Sequence, residues 1–223
     1  MQEKTLYHAQ SQATSALDTS KVLRNTYLLL GMTLLNSAVF TGIAMALNIG
    51  HGTALVLSLV GLGMLFVVHK TAESSKGLIA VFAFTGLLGA ALGPMLQAYL
   101  SLPNGTELVM QALGGTALVF FGLSAYALTT RKDFSFLGGF LMVGLLVIVV
   151  ASIANIFFQM PAASLAISAA AVFIMSGLIL FDTSRIIHGG ETNYIRATVA
   201  LYLDIYNLFI HLLHLLGVFS GDD

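Results

Sequence analysis

Two aspartates lie inside long apolar runs of this chain, Asp182 in Leu-Phe-Asp-Thr-Ser-Arg-Ile-Ile and Asp204 in Leu-Tyr-Leu-Asp-Ile-Tyr-Asn-Leu-Phe. A charged carboxylate at the centre of a bilayer costs about 2.5 to 3.5 kcal/mol on insertion scales, so an acid in such a run should face protein or water and marks a functional position. Two carboxyls that meet in a low dielectric cannot both ionise cheaply and would share a proton. Protonated, such a pair holds its helices together; ionised, it repels or releases one member to a cation. Lys70, and Arg185 one turn after Asp182, are the available cationic partners. The alternative is that each acid bonds backbone or interfacial water near the inner surface. Beyond Asp204 the same helix face stays polar. At 100° per residue Asp204, Asn207, His211 and His214 fall within an arc of about 80° and climb about 15 Å. This stripe suits either a water-filled path or a set of interhelical hydrogen bonds. Asn36, Gln97 and Asn155 on other helices could join either arrangement.

The elements that must position these groups follow from composition. Of 223 residues 57% are hydrophobic and 9% charged, far below the roughly 25% charged residues of soluble domains. The expected fold class is therefore an all-α integral membrane protein, a bundle of seven transmembrane helices. A span needs about 20 mostly apolar residues. The runs are Tyr27 to Ile49, Ala54 to Val68, Leu78 to Leu100, Leu108 to Leu128, Phe134 to Phe158, Ala162 to Phe181 and Ala197 to Phe219. They are continuously apolar, which excludes a membrane barrel with its alternation of period two. The expected division is a mobile cytosolic tail over 1–25, a transmembrane domain over 26–219 and a periplasmic end over 220–223. Pro94 in the third run should kink its helix, and Gly89 and Gly93 have the spacing that lets two backbones approach closely.

Orientation comes from the nine Lys and Arg, at 4, 21, 24, 70, 76, 131, 132, 185 and 196. All fall on one side of the predicted spans. Basic residues gather on the cytoplasmic side of short loops, so the amino terminus is expected inside and the carboxyl terminus outside. On this register Asp182 lies about 10 Å before the helix stop at Gly189-Gly190, and Asp204 about 12 Å beyond Arg196, at 1.5 Å per residue. The depths match, and antiparallel neighbours could bring the two carboxyls together.

The sequence also argues against other chemistries. The chain has no cysteine, which removes thiolate catalysis and Cys-ligated metal, and no metal site is firmly assigned. Intramembrane aspartyl proteases also place one Asp on each of two helices, but resemble one another in a Gly-x-Gly-Asp motif; this chain has Leu201-Tyr-Leu-Asp204. The last run contains no lysine for a retinal Schiff base. No phosphate loop is present. Neither an enzyme nor a nucleic-acid binder is expected, and no cofactor is implied.

Gly-Leu-Ile-Leu-Phe-Asp-Thr-Ser-Arg-Ile-Ile-His-Gly-Gly, followed by Tyr-Ile-Arg-Ala-Thr-Val-Ala-Leu-Tyr-Leu-Asp-Ile-Tyr-Asn-Leu-Phe-Ile-His-Leu-Leu-His-Leu-Leu-Gly, resembles the closing segment of the Bax inhibitor-1 (transmembrane Bax-inhibitor-motif) family. Lys-Val-Leu-Arg-Asn-Thr-Tyr, Gly-Gly-Thr-Ala-Leu-Val-Phe-Phe, Thr-Thr-Arg-Lys-Asp-Phe-Ser-Phe and His-Gly-Gly-Glu-Thr-Asn-Tyr-Ile-Arg are similar to its bacterial inner-membrane, YccA-like branch. The resemblance implies helix seven central between two three-helix layers, and a paired-aspartate pH sensor controlling a calcium leak, with Asp182 and Asp204 at the sensor positions. It implies a basic latch on helix two, where this chain has Lys70 and no arginine. For the branch it implies a partner, the membrane-anchored protease FtsH, with the polar tail as a handle. The two expected roles, calcium leak and protease regulation, are compatible.

Overall fold

Backbone groups buried in lipid must be satisfied within their own segment, so continuous apolar runs of this length fold as helices. The structure, a computed structural model, describes the backbone of residues 2–221 and the side chains of residues 18–221. The elements are α1 (Gln2–Ala46), α2 (His51–Thr71), α3 (Lys76–Leu100), α4 (Gly105–Thr130), α5 (Gly138–Phe158, entered through a 3-10 turn at Ser135–Leu137), α6 (Pro161–Ile187) and α7 (Tyr194–Phe219). All seven are long and apolar enough to cross a membrane, α1 over Asp18–Ala46. No strand occurs among the described residues. The tail expected over 1–25 lies outside the residues with described side chains as far as residue 17; residues 18–25 continue α1. Asp222 and Asp223 of the expected periplasmic end are likewise outside the described residues.

Several helices stop on a residue with left-handed backbone. α1 stops at Ala46, three residues before the apolar run gives out, with Asn48 (φ 50°) just beyond it, and Arg131 (φ 51°) and Gln159 (φ 49°) close α4 and α5 by donating N–H to Ala127 O and Asn155 O. For non-glycine residues this conformation costs about 1 to 2 kcal/mol. Gly189 (φ 74°) reaches it freely after α6, and Gly190 N then bonds Arg185 O at 2.8 Å.

Packing divides the bundle into two layers. In one, α3 lies between α1 and α2; in the other, α6 lies between α4 and α5; α7 packs against α1, α2, α3, α4 and α6. Leu201, Tyr202, Leu208 and Leu213 of α7 are fully buried, whereas α2 and α5 turn Leu55, Leu59, Phe66, Phe140, Val147 and Ile156 outward. The backbones of α1 and α3 approach closely. A Cβ on Gly89 would collide with the Ser37 backbone, and one on Gly93 would sit 2.7 Å from Ala44 Cβ. Thr41 Oγ1 donates to Gly89 O at 2.6 Å and Ser37 Oγ to Thr85 O at 2.7 Å. Pro94 lies within α3, which runs on through it.

Candidate functional site

The α6–α7 turn fixes the register of both aspartates. Asn193 caps α7 by accepting from Ile195 N at 2.9 Å and Arg196 N at 3.1 Å, satisfying two of the orphan amides of a helix start. Its own amide nitrogen donates to Ala72 O at 2.9 Å, tying this turn to the one between α2 and α3. Glu191 Oε1 receives Asn193 N at 2.9 Å and faces Arg196 Nε at 3.3 Å. Seven residues thus separate Asp182 from the Gly189 stop, and α7 returns antiparallel beside α6.

That register brings Asp182 and Asp204 into side-chain hydrogen-bonding contact. Asp204 is 4% exposed, and its Oδ2 has no hydrogen-bond partner. The Asp182 side chain is 12% exposed and has a second neighbour: Arg185 Nη1 lies 3.4 Å from its Oδ1. Arg185 is shared. Its Nη2 lies 3.9 Å from Glu191 Oε2 and 3.4 Å from Gly190 O, and its guanidinium sits 5.5 Å from the Phe181 ring centroid. Asp182 therefore has a cation within reach and Asp204 has only its fellow acid. The buried hydroxyls of Tyr27, Ser124 and Thr183 likewise make no hydrogen bond.

Lys70 stands apart from this group. Val68 and Ala72 turn inward from the end of α2 and are buried, which carries Lys70 round to the exposed side, where it forms no ion pair among the described residues. Of the two expected latch residues, the structure brings only Arg185 to the carboxyls. The reason is that α2 packs on the flank of α3 and meets α7 only marginally.

A second polar contact between α6 and α7 lies three turns away. Ser168 Oγ is 2.9 Å from His214 Nδ1 and 3.1 Å from His211 Nδ1. Asn207, between the histidines and Asp204, donates back along its own helix to Leu203 O at 2.8 Å. The histidines border a cleft between α5 and α7, helices that do not touch. It comprises cavities of 380 and 330 Å³ that share Asn155, Ile156, Ser164 and His214. Asn155 Nδ2 donates to Ser164 Oγ at 2.7 Å. The other polar residues go elsewhere: Asn36 donates to Phe82 O and Thr85 Oγ1 across α1–α3, and Gln97 to Asn48 Oδ1. The larger groove, 530 Å³ between α1 and α4, is apolar and does not reach either acid. Among the described residues no three His, Asp or Glu side chains converge to hold a metal ion.

Sequence reasoning missed Ser168, the hub of the histidine contact, and the Ser37–Tyr202 hydroxyl pair at 2.6 Å. Ser168 stands in Ala-Ala-Ser-Leu-Ala-Ile-Ser-Ala-Ala-Ala, where it looks like any small packing residue. A signal did exist, since Ser168 is fourteen residues before Asp182 and His214 ten after Asp204, similar distances along antiparallel neighbours.

Comparison with known proteins places the chain among relatives along nearly its whole length. The family model described as "Inhibitor of apoptosis-promoting Bax1" matches residues 19–221. The chain is 57% identical over 210 residues to a protein of Escherichia coli K12 named "Modulator of FtsH protease YccA", covering 94% of this chain and 95% of that one. The same identity and coverage hold for an Escherichia coli O6:H1 relative named "Inner membrane protein YccA". A membrane protein of Vibrio cholerae is 50% identical over 219 residues, 98% of each chain.

Proposed function

The chain belongs to the Bax inhibitor-1 family, and from that premise we propose that it is a multi-pass inner-membrane protein that binds and modulates an FtsH-type membrane protease. The observation that carries this reading is the 57% identity, over 94% of the chain, to a protein named for that role. In this reading the end of the bundle bearing the Lys and Arg side chains faces the cytoplasm, as the bias of basic residues toward cytoplasmic loops favours. The amino terminus is then cytoplasmic and the carboxyl terminus periplasmic. Regulation by binding needs no catalytic group and no cofactor. Co-purification with FtsH, and altered turnover of its membrane substrates when the chain is overproduced, test the reading; unaltered turnover together with no association would refute it.

A second role, compatible with the first, is favoured by the contact between Asp182 and Asp204. It is a calcium leak gated by this pair. While the pair holds a proton, the O–H of one carboxyl donates to the other and α6 stays against α7. When both carboxyls ionise, two negative charges at contact distance in a poorly screened site repel. Asp182 can turn to Arg185, one turn away at 3.4 Å. Asp204 has no such partner and is the member left to attract a cation. The α6–α7 contact is thus the element that proton loss biases, and calcium is the cargo rather than a resident ion. Calcium flux into proteoliposomes across pH tests the role, with Asp204→Asn as the comparison. Flux that is absent, or whose pH response the substitution leaves unchanged, removes it.

A further inference from the structure

We propose that Ser168, His211 and His214 form a proton relay leading from the periplasmic cleft into the bundle along α7. Both imidazoles turn Nδ1 to one hydroxyl, at 2.9 and 3.1 Å, and Ser168 itself is 4% exposed. A hydroxyl has one proton to donate, and a neutral imidazole is a donor at one nitrogen and an acceptor at the other. With both contacts made in the neutral state, one Nδ1–H donates to Ser168 Oγ and the Ser168 O–H donates to the other Nδ1. In this arrangement, which the relay requires, the two rings hold opposite tautomers. Their Nε2 atoms make no hydrogen bond to protein among the described residues. His214 borders both cavities of the cleft, and His211, one turn earlier along α7, only the one that also reaches Ser152 and Met95.

The transfer balances. A proton bonds to His214 Nε2; the His214 Nδ1–H bond breaks as its proton passes to Ser168 Oγ; the original Ser168 proton passes to His211 Nδ1; and His211 Nε2 releases its proton on the deeper side. One proton enters, one leaves and no net charge remains, and both rings have exchanged tautomers and must reset before the next transfer. Among the described residues no Asp, Glu, Lys or Arg borders the cleft. The neighbours that face the rings are Ser152 and Asn155 of α5, Ser164 of α6 and Met95 of α3, so no fixed charge pins a proton on either ring. Further along the same face stand Asn207 and then Asp204. Taking the carboxyl pair as the destination rests on the gate reading above; the relay itself rests on the histidine geometry.

The test is 15N NMR of the histidine side chains in the full-length chain in lipid bilayers. The relay requires opposite, linked tautomers in His211 and His214, unlinked by Ser168→Ala and retained by Ser168→Thr, which keeps the hydroxyl. The same tautomer in both rings, or rings that remain linked in Ser168→Ala, overturns it. The second readout is the rate at which the infrared carboxyl signal of the pair responds to an acid jump. Losing a positioned proton carrier should slow it at least about tenfold in His214→Asn, which keeps a hydrogen-bonding amide should Ser168→Ala fail to fold. An unchanged rate overturns the carboxyl pair as the destination of the relay. Asp204→Asn leaves the tautomer linkage intact. Calcium flux indifferent to that substitution therefore removes the gate and spares the relay, whereas unlinked tautomers in the parent remove the relay and spare the gate.

Discussion

The two polar contacts between α6 and α7 use one helix face and opposite electrostatics. Near the basic end, two acids meet, 4% exposed on one side and 12% on the other, with a single shared arginine beside them. Three turns away, two imidazoles meet through a hydroxyl, and among the described residues no charged side chain borders their cleft. On the proposed reading, the first contact turns from attraction to repulsion when a proton leaves. The second stays attractive through one protonation, because a hydroxyl oxygen can accept from two N–H groups. The difference teaches that carboxyls in contact suit a switch, whereas neutral donor–acceptor chains suit transfer.

Substitutions can break that contrast, beginning with the largest effect. Asp204→Asn keeps the shape and removes the charge, so the pH response of calcium flux should fall by about an order of magnitude or vanish, while the histidine contact persists. Arg185→Gln should have a smaller effect. Arg185 is 36% exposed and divides itself between Asp182 and Glu191, so stability should change by no more than about 1 kcal/mol. The midpoint of the pH response should nevertheless move, because Asp182 loses the partner to which it turns on ionising. Lys70→Gln serves as the control and should leave flux and midpoint at parental values, since Lys70 is exposed and forms no ion pair among the described residues; a moved midpoint would mean that α2 reaches the carboxyls.

The carboxyl pair was legible in the sequence because an acid inside an apolar run is conspicuous, and because Gly189 and Arg196 let both depths be counted along their helices. The stripe through His211 and His214 was legible by helical period, but its partner was not. Serine in an alanine-rich helix carries no mark of what it bonds, and Ser168 meets residues 43 and 46 positions away. For Lys70 the inner end of α2 could be read from the sequence, while the side of α2 on which it falls depends on how α2 leans against α3. The helix stops at Arg131 and Gln159 were equally hidden, since both take a left-handed conformation without the glycine that would have marked it in the sequence.

Two smaller tests sharpen the comparison. Thermal unfolding of Ser168→Ala, Asp204→Asn and their double variant should show additive destabilisation to within about 0.5 kcal/mol, as expected of contacts that share no partner. A larger coupling would show that the two levels act as one structural unit. The smallest effect is at Asp133, in the exposed turn before α5. Its Oδ1 accepts from Ser135 Oγ at 2.5 Å and Ser135 N at 2.9 Å, and these bonds hold its carboxyl below the usual carboxylate range. A lowered folded-state value means that the turn gains stability above the unfolded value and loses it as pH falls through the folded one. Carbon-13 NMR of Asp133 should therefore show it titrating below the ordinary aspartate value of 3.8, and Ser135→Ala should return it toward that value.

The central claim is that Asp182 and Asp204 act as one titrating unit, and infrared-monitored pH titration of the full-length chain in bilayers tests it most directly. In the parent the two carboxyls should lose their protons in linked steps, and Asp182→Asn should visibly displace the titration of Asp204. If Asp204 follows the same curve with and without its neighbour, the two acids are independent and the account of the α6–α7 contact as a proton-operated switch is wrong.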